Sequence, residues 1–394
     1  MPHGDHVKTT HQVTAERLQA AHDRPVLEVP TLDEPVLIES LQMLHKNGNY
    51  YVLARSTDGA EGLSFCNAKA RHLYPILNQL IIPYFVGKDA RDLEDHLWEV
   101  YRHSSNYKLL GQALWNPVAW VEMAILDLLG RVTQKSITDL LGGAVRDRCP
   151  FYVASSRRDS TPEEEIDHLQ MLVDETYAPA IKFRVGGRMS RNEDAMPDRT
   201  PKLIELSRKH FGDEMDIHAD SNSSYDPPQA IEVGRMLEDI NAVYFEEPCP
   251  FDHLEDTKTV TDTLDLPVSG GEQEASDRRF RWMIQHGAVN IVQPDLHYYG
   301  GLIRSARVSR MAALADMPTT VHISGGMGFV YMLIFAAFTP DIGRYQEYKR
   351  GIEKVADLFD PALKIENGEL TIPQCPGTGI TDFSSFVEEA QVIS

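Results

Sequence analysis

The sequence predicts an α/β protein in which a small α+β domain precedes a barrel of parallel strands that alternate with helices. Short runs rich in β-branched and aromatic residues recur from residue 151 onward, and each is followed by a helix-like stretch. Six consecutive runs end on an ionisable residue, at intervals of 23 to 27 positions. Such a step fits one strand, one helix and two loops, so these side chains are expected on one rim of the barrel. The eight predicted strands span 151–153, 181–185, 215–220, 242–246, 266–269, 289–293, 319–322 and 344–347.

The chain is predicted to divide into three segments. Residues 1–147 form the amino-terminal domain, residues 148–365 form the barrel, and residues 366–394 form a tail that returns to the first domain. Within the first domain, the strand-like run 50–55 and its partner 62–65 flank a turn, which predicts a hairpin. A helical pattern at 121–129 ends near Gly130. The polar segment 1–24 is interpreted as an irregular extension.

Composition limits the class of partner. The 394 residues carry a formal net charge of −21, which disfavours nucleic acid and anionic membranes because both require a positive field. The longest apolar run, 329–338, is much shorter than the roughly 20 residues of a membrane helix, and the polar amino terminus lacks the apolar core of a signal peptide. Four widely separated cysteines match no zinc spacing and indicate free thiols in the cytoplasm. A small carboxylate substrate remains compatible with the charge, since a bound cation can reverse the local field.

Three carboxylates form the predicted metal site. Asp220, Glu246 and Glu272 end three consecutive predicted strands, and without a cation their charges would repel one another. Ligation by oxygen alone favours Mg²⁺, one ion per active site, with Mn²⁺ as a substitute. Glu246 and Glu247 are adjacent, so a strand would direct only one of them inward. Asn222 lies two residues past Asp220 and is a candidate for binding the substrate or joining the metal shell.

The neighbouring strand ends supply a candidate base. Asp295 and His322 end the next two strands, and a carboxylate bonded to one ring nitrogen raises the basicity of the other. Lys182 and Arg184 lie two residues apart on the second strand, so both are expected to face inward. Glu347, on the last strand, is a candidate for protonating or hydrogen-bonding a carboxylate oxygen. Together these groups suit removal of the proton next to a carboxylate, because cations can stabilise the enediolate that forms.

The ordered motifs resemble those of the enolase superfamily, and within it the mandelate racemase/muconate lactonizing enzyme branch. The resemblance covers nearly everything after about residue 35. It rests on Lys182-Phe183-Arg184, Asp220-Ser221-Asn222, Phe245-Glu246-Glu247-Pro248, Gly271-Glu272, Pro294-Asp295, Val321-His322 and Gln346-Glu347.

The resemblance implies a modified (β/α)₇β barrel of the TIM type beneath an α+β cap, and a homo-oligomer. It selects Glu246 over Glu247 as the ligand, and it assigns specificity to cap loops at about 31–47 and 64–69. Those loops contain three further candidates for contacting substrate, His45, Asn67 and Lys69.

One residue departs from the resembling pattern and decides the predicted reaction. Arg184 stands where similar proteins carry a second lysine base, and a guanidinium has almost no base form at neutral pH. Racemisation needs a base on each face of the substrate, whereas His322 alone can serve a dehydratase. We therefore expect dehydration of an acid sugar to a 2-keto-3-deoxy acid.

Other functions stay open from the sequence. A racemase or epimerase of a hydroxy acid or N-acyl amino acid, or a cycloisomerase, would share the first half-reaction. A barrel that kept its metal site only for binding is a third class. The pairs Gly300-Gly301 and Gly325-Gly326 also allow a loop that grips a phosphate.

Overall fold

The computed structural model describes residues 13–324 and 326–393. Its helices are α1 Ala15–Asp23, α2 Ala70–Ile76, α3 Ile82–Phe85, α4 Leu93–Arg102, α5 Gln112–Thr133, α6 Ile137–Leu140, α7 Pro162–Thr176, α8 Arg199–Phe211, α9 Pro227–Asp239, α10 Leu254–Thr263, α11 Asp277–His286, α12 Leu302–Ala313, α13 Phe329–Phe338 and α14 Ser384–Val387. Its strands are β1 Ile38–Lys46, β2 Asn49–Ser56, β3 Glu61–Cys66, β4 Arg148–Ala154, β5 Ala180–Arg184, β6 Asp216–Asp220, β7 Tyr244–Glu246, β8 Val268–Gly270, β9 Ile291–Val292, β10 Gln346–Glu347, β11 Ile365–Glu366, β12 Glu369–Thr371 and β13 Gln391–Ile393.

The first domain is built on an antiparallel sheet with the strand order β13-β1-β2-β3. The predicted hairpin is confirmed, since β2 pairs with β3 and Leu53 lies opposite Leu63. The carboxyl-terminal strand β13 pairs with β1, where Met43 lies opposite Ile393. The interpretation of residues 31–47 as a loop is wrong, because β1 occupies most of that segment. Its apolar side chains, Met43 among them, are buried in the core.

The extension before the first domain is also more regular than predicted. Residues 15–23 form α1, and the Thr14 hydroxyl caps this helix by accepting the backbone N–H of Arg17. Leu18 is fully buried where α1 packs against α12. Arg310 of α12 donates to the carbonyl oxygens of Arg24 and Pro25 at 2.9 and 2.8 Å. This segment therefore packs against the second domain; residues 1–12 lie outside the described residues.

The second domain is built on parallel strands. Six of them, β4 to β9, pair in sequence order, and β10 pairs in parallel with β4 on the other side. Helices α7 to α12 fill the connections. Of the eight predicted strands, 319–322 contains only isolated parallel bridges, from Thr319 to Val292 and Ile342 and from His322 to Asp295. The continuous hydrogen-bonded ladder is therefore open between β9 and β10.

The apolar run 329–338 is helix α13, and all ten of its side chains are buried. A helix that is apolar on every side is expected inside a protein core. Within the described ranges, no helix combines the length and the apolarity needed to cross a bilayer.

Two buried carboxylates on α5 join the domains. Glu122 accepts the backbone N–H groups of Leu302 and Ile303 at the start of α12, both at 2.9 Å. One turn and a half further along, Asp127 accepts N–H groups from Leu63 in β3, at 2.8 Å, and from Thr378 in the tail, at 2.7 Å. The central helix thus holds the cap sheet, α12 and the tail in one arrangement.

Candidate active site

The register of the parallel strands brings the predicted rim residues together. Arg184, Asp220 and Glu246 lie side by side at the ends of β5, β6 and β7. Glu272 follows β8 by two residues, and its side chain is 12% exposed, whereas Asp220 and Glu246 are buried. Parallel strands end at the same edge of a sheet, which explains why residues far apart in the chain meet here.

Two cations lie among the carboxylates. Lys182 donates to Glu246 Oε2 at 2.8 Å and to Glu347 Oε2 at 2.7 Å. Arg184 forms an ion pair with Asp220 through Nη1. Although burial lowers the pKa of Lys182, the charges of Glu246 and Glu347 raise it above the ordinary value. Lys182 and Arg184 are therefore cationic in this arrangement, and neither is poised to accept a proton.

Negative charge nevertheless remains in excess. Burial, and after it the charge of Glu246, raises the pKa of Glu272. Burial and the charges of Glu272 and Glu246 raise the pKa of Glu247 well above its ordinary value. One oxygen of Glu247, Oε1, is buried with no hydrogen-bond partner among the residues that the structure describes. Crowded carboxylates with raised pKa values are the electrostatic setting that a cation relieves.

The donor chemistry fits a hard divalent cation. The three predicted ligands offer only carboxylate oxygens, the donors that Mg²⁺ prefers. As they stand, no three acidic, histidine or cysteine side chains of the described residues form a ready metal-binding group. Two of the three predicted ligands are instead paired with cationic side chains, Asp220 with Arg184 and Glu246 with Lys182.

The position of Glu247 differs from the prediction, which directs its side chain away from the rim. The strand ends at Glu246, and Glu247 adopts a left-handed backbone conformation with φ of 42°. The alternation of a strand therefore no longer applies to it. Its carboxyl group is buried near enough to Glu246 and Glu272 for their charges to raise its pKa.

Asp295 and His322, the two residues of the predicted base, are in contact. His322 Nδ1 lies 2.6 Å from Asp295 Oδ2, and Asp295 Oδ1 accepts the backbone N–H groups of His297 and Tyr298, both at 2.7 Å. Asp295 is thus fixed by its own chain and orients the imidazole. Burial, followed by the charge of Lys349, lowers the pKa of His322 well below its ordinary value. Burial therefore outweighs the gain in basicity that was expected from the contact with Asp295. With Nδ1 bonded to Asp295, Nε2 is the nitrogen that can accept a proton.

Glu347 lies between two lysines, one of which the sequence analysis missed. Besides Lys182, Lys349 donates to Glu347, through Oε1. Although burial raises the pKa of Glu347, these two cations bring it well below its ordinary value. An ionised Glu347 accepts hydrogen bonds and does not donate one, so the structure disfavours the predicted role as proton donor. Lys349 could have been found by its spacing, since it lies only two residues beyond Glu347, just past the end of β10.

The candidate substrate contacts in the cap separate into two groups. Lys69 lies 5.3 Å from the ring centroid of Tyr298, whose ring in turn lies 6.3 Å from that of His322. Asn67, in contrast, is buried and donates to Asn116 Oδ1 at 2.7 Å. Its carboxamide is used inside the cap, so it is not a substrate contact in this arrangement.

His45 is also not brought to the rim. Its ring lies against Tyr50, tilted by 36° with centroids 4.6 Å apart, and its backbone pairs with Gln391 at the edge of the cap sheet. Asn222, by contrast, is at the site, since it donates to both oxygens of Asp220.

The phosphate-loop reading of Gly300-Gly301 is wrong. A helix start can bind phosphate through its free N–H groups, but here the Glu122 carboxylate accepts those of Leu302 and Ile303. Gly301 has φ of 110°, and a Cβ there would lie 2.1 Å from Glu122 Oε2. The glycine therefore makes room for an internal carboxylate. Gly325 lies outside the described residues.

Two family models match the chain. Residues 26–142 match the amino-terminal domain of mandelate racemase/muconate lactonizing enzyme, and residues 164–382 match the enolase C-terminal domain-like model.

Two similar proteins are dehydratases of sugar acids. Arabinonate dehydratase of Saccharolobus solfataricus is 26% identical over 306 residues, which cover 77% of this chain and 79% of that protein. D-mannonate dehydratase of Novosphingobium aromaticivorans is 26% identical over 360 residues, which cover 84% and 89%.

Solved structures are also similar. A protein of Roseobacter denitrificans, provisionally described as a racemase, superposes with a TM-score of 0.83 and 33% identity, over 91% of this chain and 99% of that one. A mandelate racemase/muconate lactonizing protein of Paracoccus denitrificans, complexed with magnesium, has a TM-score of 0.83 and 23% identity over 91% and 99%, and shares the fold.

Proposed function

Because this chain belongs to the mandelate racemase/muconate lactonizing enzyme family of the enolase superfamily, we propose that it is a Mg²⁺-dependent hydro-lyase that dehydrates an acid sugar. The dehydratases among its relatives support this reaction class. The observation that carries the proposal is the position of His322, held by Asp295 at 2.6 Å on the rim that also gathers the acidic side chains. We also infer a (β/α)₇β barrel, supported by the pairing of β10 with β4.

The metal would be held by Asp220, Glu246 and Glu272. When bound, it supplies positive charge that makes the proton next to the substrate carboxylate more acidic. Lys182 remains charged beside Glu246 and Glu347, so its ammonium stabilises the negative charge that develops on the carboxylate oxygens.

His322 carries out both proton transfers. Its Nε2 removes the proton from C2, while Asp295 accepts the Nδ1–H and stabilises the imidazolium that forms. The imidazolium then gives this proton to the 3-hydroxyl group, which leaves as water. The remaining enol tautomerises to the 2-keto-3-deoxy acid, so the net change is loss of one water molecule.

A panel of acid sugars with Mg²⁺ tests the reaction, with 2-keto-3-deoxy acids as the measured product. Wild type is expected to convert at least one acid. His322→Asn should lower kcat by roughly 10² to 10⁴-fold, because general base catalysis is lost. The matched control is His253→Asn, at an exposed position on the start of α10, which should retain the wild-type rate. Unchanged turnover by His322→Asn would exclude the assigned base.

Racemisation is the second candidate, favoured by the 33% identity to the Roseobacter denitrificans protein. It would need Lys182 to act as a base on the opposite face, yet neighbouring carboxylates raise the pKa of Lys182. In D₂O, a racemase would exchange the α proton and invert the centre without forming a keto acid. Dehydration predicts the keto acid, with deuterium at C3.

A further inference from the structure

Two arginines beyond the rim have no acidic partner in the described part of the chain. Arg158 follows the end of β4 by four residues, and Arg188 follows the end of β5 by four residues. Both guanidinium groups donate to one neutral acceptor, Asn222 Oδ1, at 2.9 and 3.3 Å, and Arg158 also donates to the Gly186 carbonyl oxygen at 3.1 Å. Among the described residues, neither has a carboxylate oxygen within ion-pair distance. This is unexpected in a chain with a net charge of −21, where acids are plentiful.

The surroundings of the pair are positively charged. Arg184 and Arg199 lie close by, and each already has partners. Arg184 pairs with Asp220, and Arg199 donates to the Ser160 carbonyl at 2.8 Å. Burial, with the charges of Arg184, Arg188 and Arg199, lowers the pKa of Arg158 to about 9. The guanidinium groups therefore repel one another, and a bound anion would relieve that repulsion.

The pair is one amide group away from the reaction centre. Asn222 donates its backbone N–H to Asp220 Oδ1 at 2.7 Å and its side-chain N–H to Asp220 Oδ2 at 3.0 Å. The loop that carries Arg188 is fixed to the same residue, since the Met189 N–H donates to the Asn222 carbonyl at 3.0 Å. A substrate that reaches from the rim carboxylates past Asn222 would meet the arginines with its far end.

We propose that Arg158 and Arg188 bind a second anionic group of the substrate, remote from the carboxylate whose α proton is removed. The substrate class is then a dianionic hydroxy acid, either an aldaric acid or an aldonic acid with a terminal phosphate. Both groups present oxygens that a guanidinium fork binds through two parallel hydrogen bonds. This inference rests on the proposed function for the identity of the reacting end.

Kinetics on matched acids tests the pair. The probes are gluconate, glucarate and 6-phosphogluconate. The corresponding aldonic acid, aldaric acid and 6-phosphoaldonic acid of each other hexose complete the set. Arg188 is exposed, so Arg188→Gln is expected to fold, and Arg158→Lys keeps the charge of the more buried partner. Arg188→Gln should lower kcat/KM for the dianions by about 10- to 100-fold, since a charged hydrogen bond is lost, and for the monoanion by less than about 3-fold. If the glucarate-type acids have the higher kcat/KM, the second anionic group is a carboxylate; if the phosphorylated acids do, it is a phosphate.

The control is Arg191→Gln, an equal charge change in the same exposed loop, which should leave the preference for dianions intact. Equal losses on monoanions and dianions would mean that the arginines only position Asn222, and would overturn the proposal. A wild-type enzyme that prefers monoanions would also overturn it.

A binding measurement separates this inference from the proposed function. Calorimetry on the His322→Asn variant with Mg²⁺ should show that glucarate or 6-phosphogluconate binds more tightly than gluconate. Adding Arg188→Gln to this variant should remove that difference in affinity. If no acid is converted but this difference exists, the reaction is wrong and the anion site stands. If acids are converted and the difference is absent, the reaction stands and the anion site is wrong.

Discussion

Buried carboxylates occur in two regions of this protein, and they are satisfied in different ways. On α5, Glu122 and Asp127 accept backbone N–H groups at distances of 2.7 to 2.9 Å, and Asp127 also accepts the Arg131 Nε–H at 3.1 Å. On the rim, Glu246 and Glu347 share Lys182, and one oxygen of Glu247 has no hydrogen-bond partner within residues 13–324 and 326–393. Backbone donors are rigid, whereas lysine and arginine side chains can move. The comparison suggests that α5 carboxylates hold the domains together, while the rim keeps its carboxylates available for exchangeable partners.

Neutralising a rim carboxylate should have the largest effect. It should lower catalytic activity without lowering the free energy of unfolding. Glu272→Gln removes one predicted metal ligand and is expected to lower kcat/KM on the order of 10³-fold, since metal stabilisation of the transition state is worth several kcal/mol. Stability should stay the same or rise, because burial and Glu246 raise the pKa of this carboxyl group. Steady-state kinetics and urea unfolding measure both. A stable, fully active variant would remove Glu272 from the site.

The same acid-to-amide change on α5 should give the opposite result. Asp127→Asn replaces one carboxylate oxygen by an NH₂ group, which donates and does not accept. In one orientation this group faces the Leu63 N–H and Arg131, and in the other it faces the Thr378 N–H. The free energy of unfolding should fall by about 3 kcal/mol, because a buried charged network is broken. Activity per folded molecule should change less than about 3-fold. A stability loss below that of Glu272→Gln would contradict the division between the two regions.

A smaller effect is expected at His297, which links the cap to the loop that follows Asp295. His297 lies 3.1 Å from the Phe65 carbonyl through Nε2, and burial lowers its pKa to about 4. The unfolded chain binds a proton near pH 6.5 and the folded chain does not, so stability is lost as the pH falls from about 6.5 toward 4. Between pH 7 and pH 5 the loss should be roughly 2 kcal/mol.

Urea unfolding across this pH range checks the assignment. His297→Gln should reduce the slope of stability against pH, while the exposed His253→Gln should not. Equal slopes for wild type and both variants would show that His297 is not the group responsible.

The rim residues could be predicted because they depend on local periodicity. A strand, a helix and two loops repeat at nearly constant length, so Asp220, Glu246 and Asp295 fall on one edge without knowledge of any contact. Strand β1 was not predicted, because the loop at residues 31–47 follows from the resemblance and not from the periodicity of that segment.

The remaining site residues depend on distant loops. Arg158 and Arg188 meet at Asn222, which is 64 and 34 positions away in the chain, and no periodicity predicts that meeting. The positive backbone angle of Glu247 and the ion pair of Arg184 with Asp220 are likewise products of the folded chain. The sequence does not distinguish Asn67 from Lys69, since both are polar residues of the same predicted loop. In the folded chain Asn67 is bonded to Asn116, and only Lys69 lies beside the Tyr298 ring.

Calorimetric titration with Mg²⁺ tests the central claim most directly, since the account requires the rim carboxylates to exchange their cationic partners for a metal. Wild type should bind one Mg²⁺ per chain, Asp220→Asn should lose most of that affinity, and Asp127→Asn should retain it. Binding of equal affinity by Asp220→Asn and wild type, or no binding by wild type, would contradict the account.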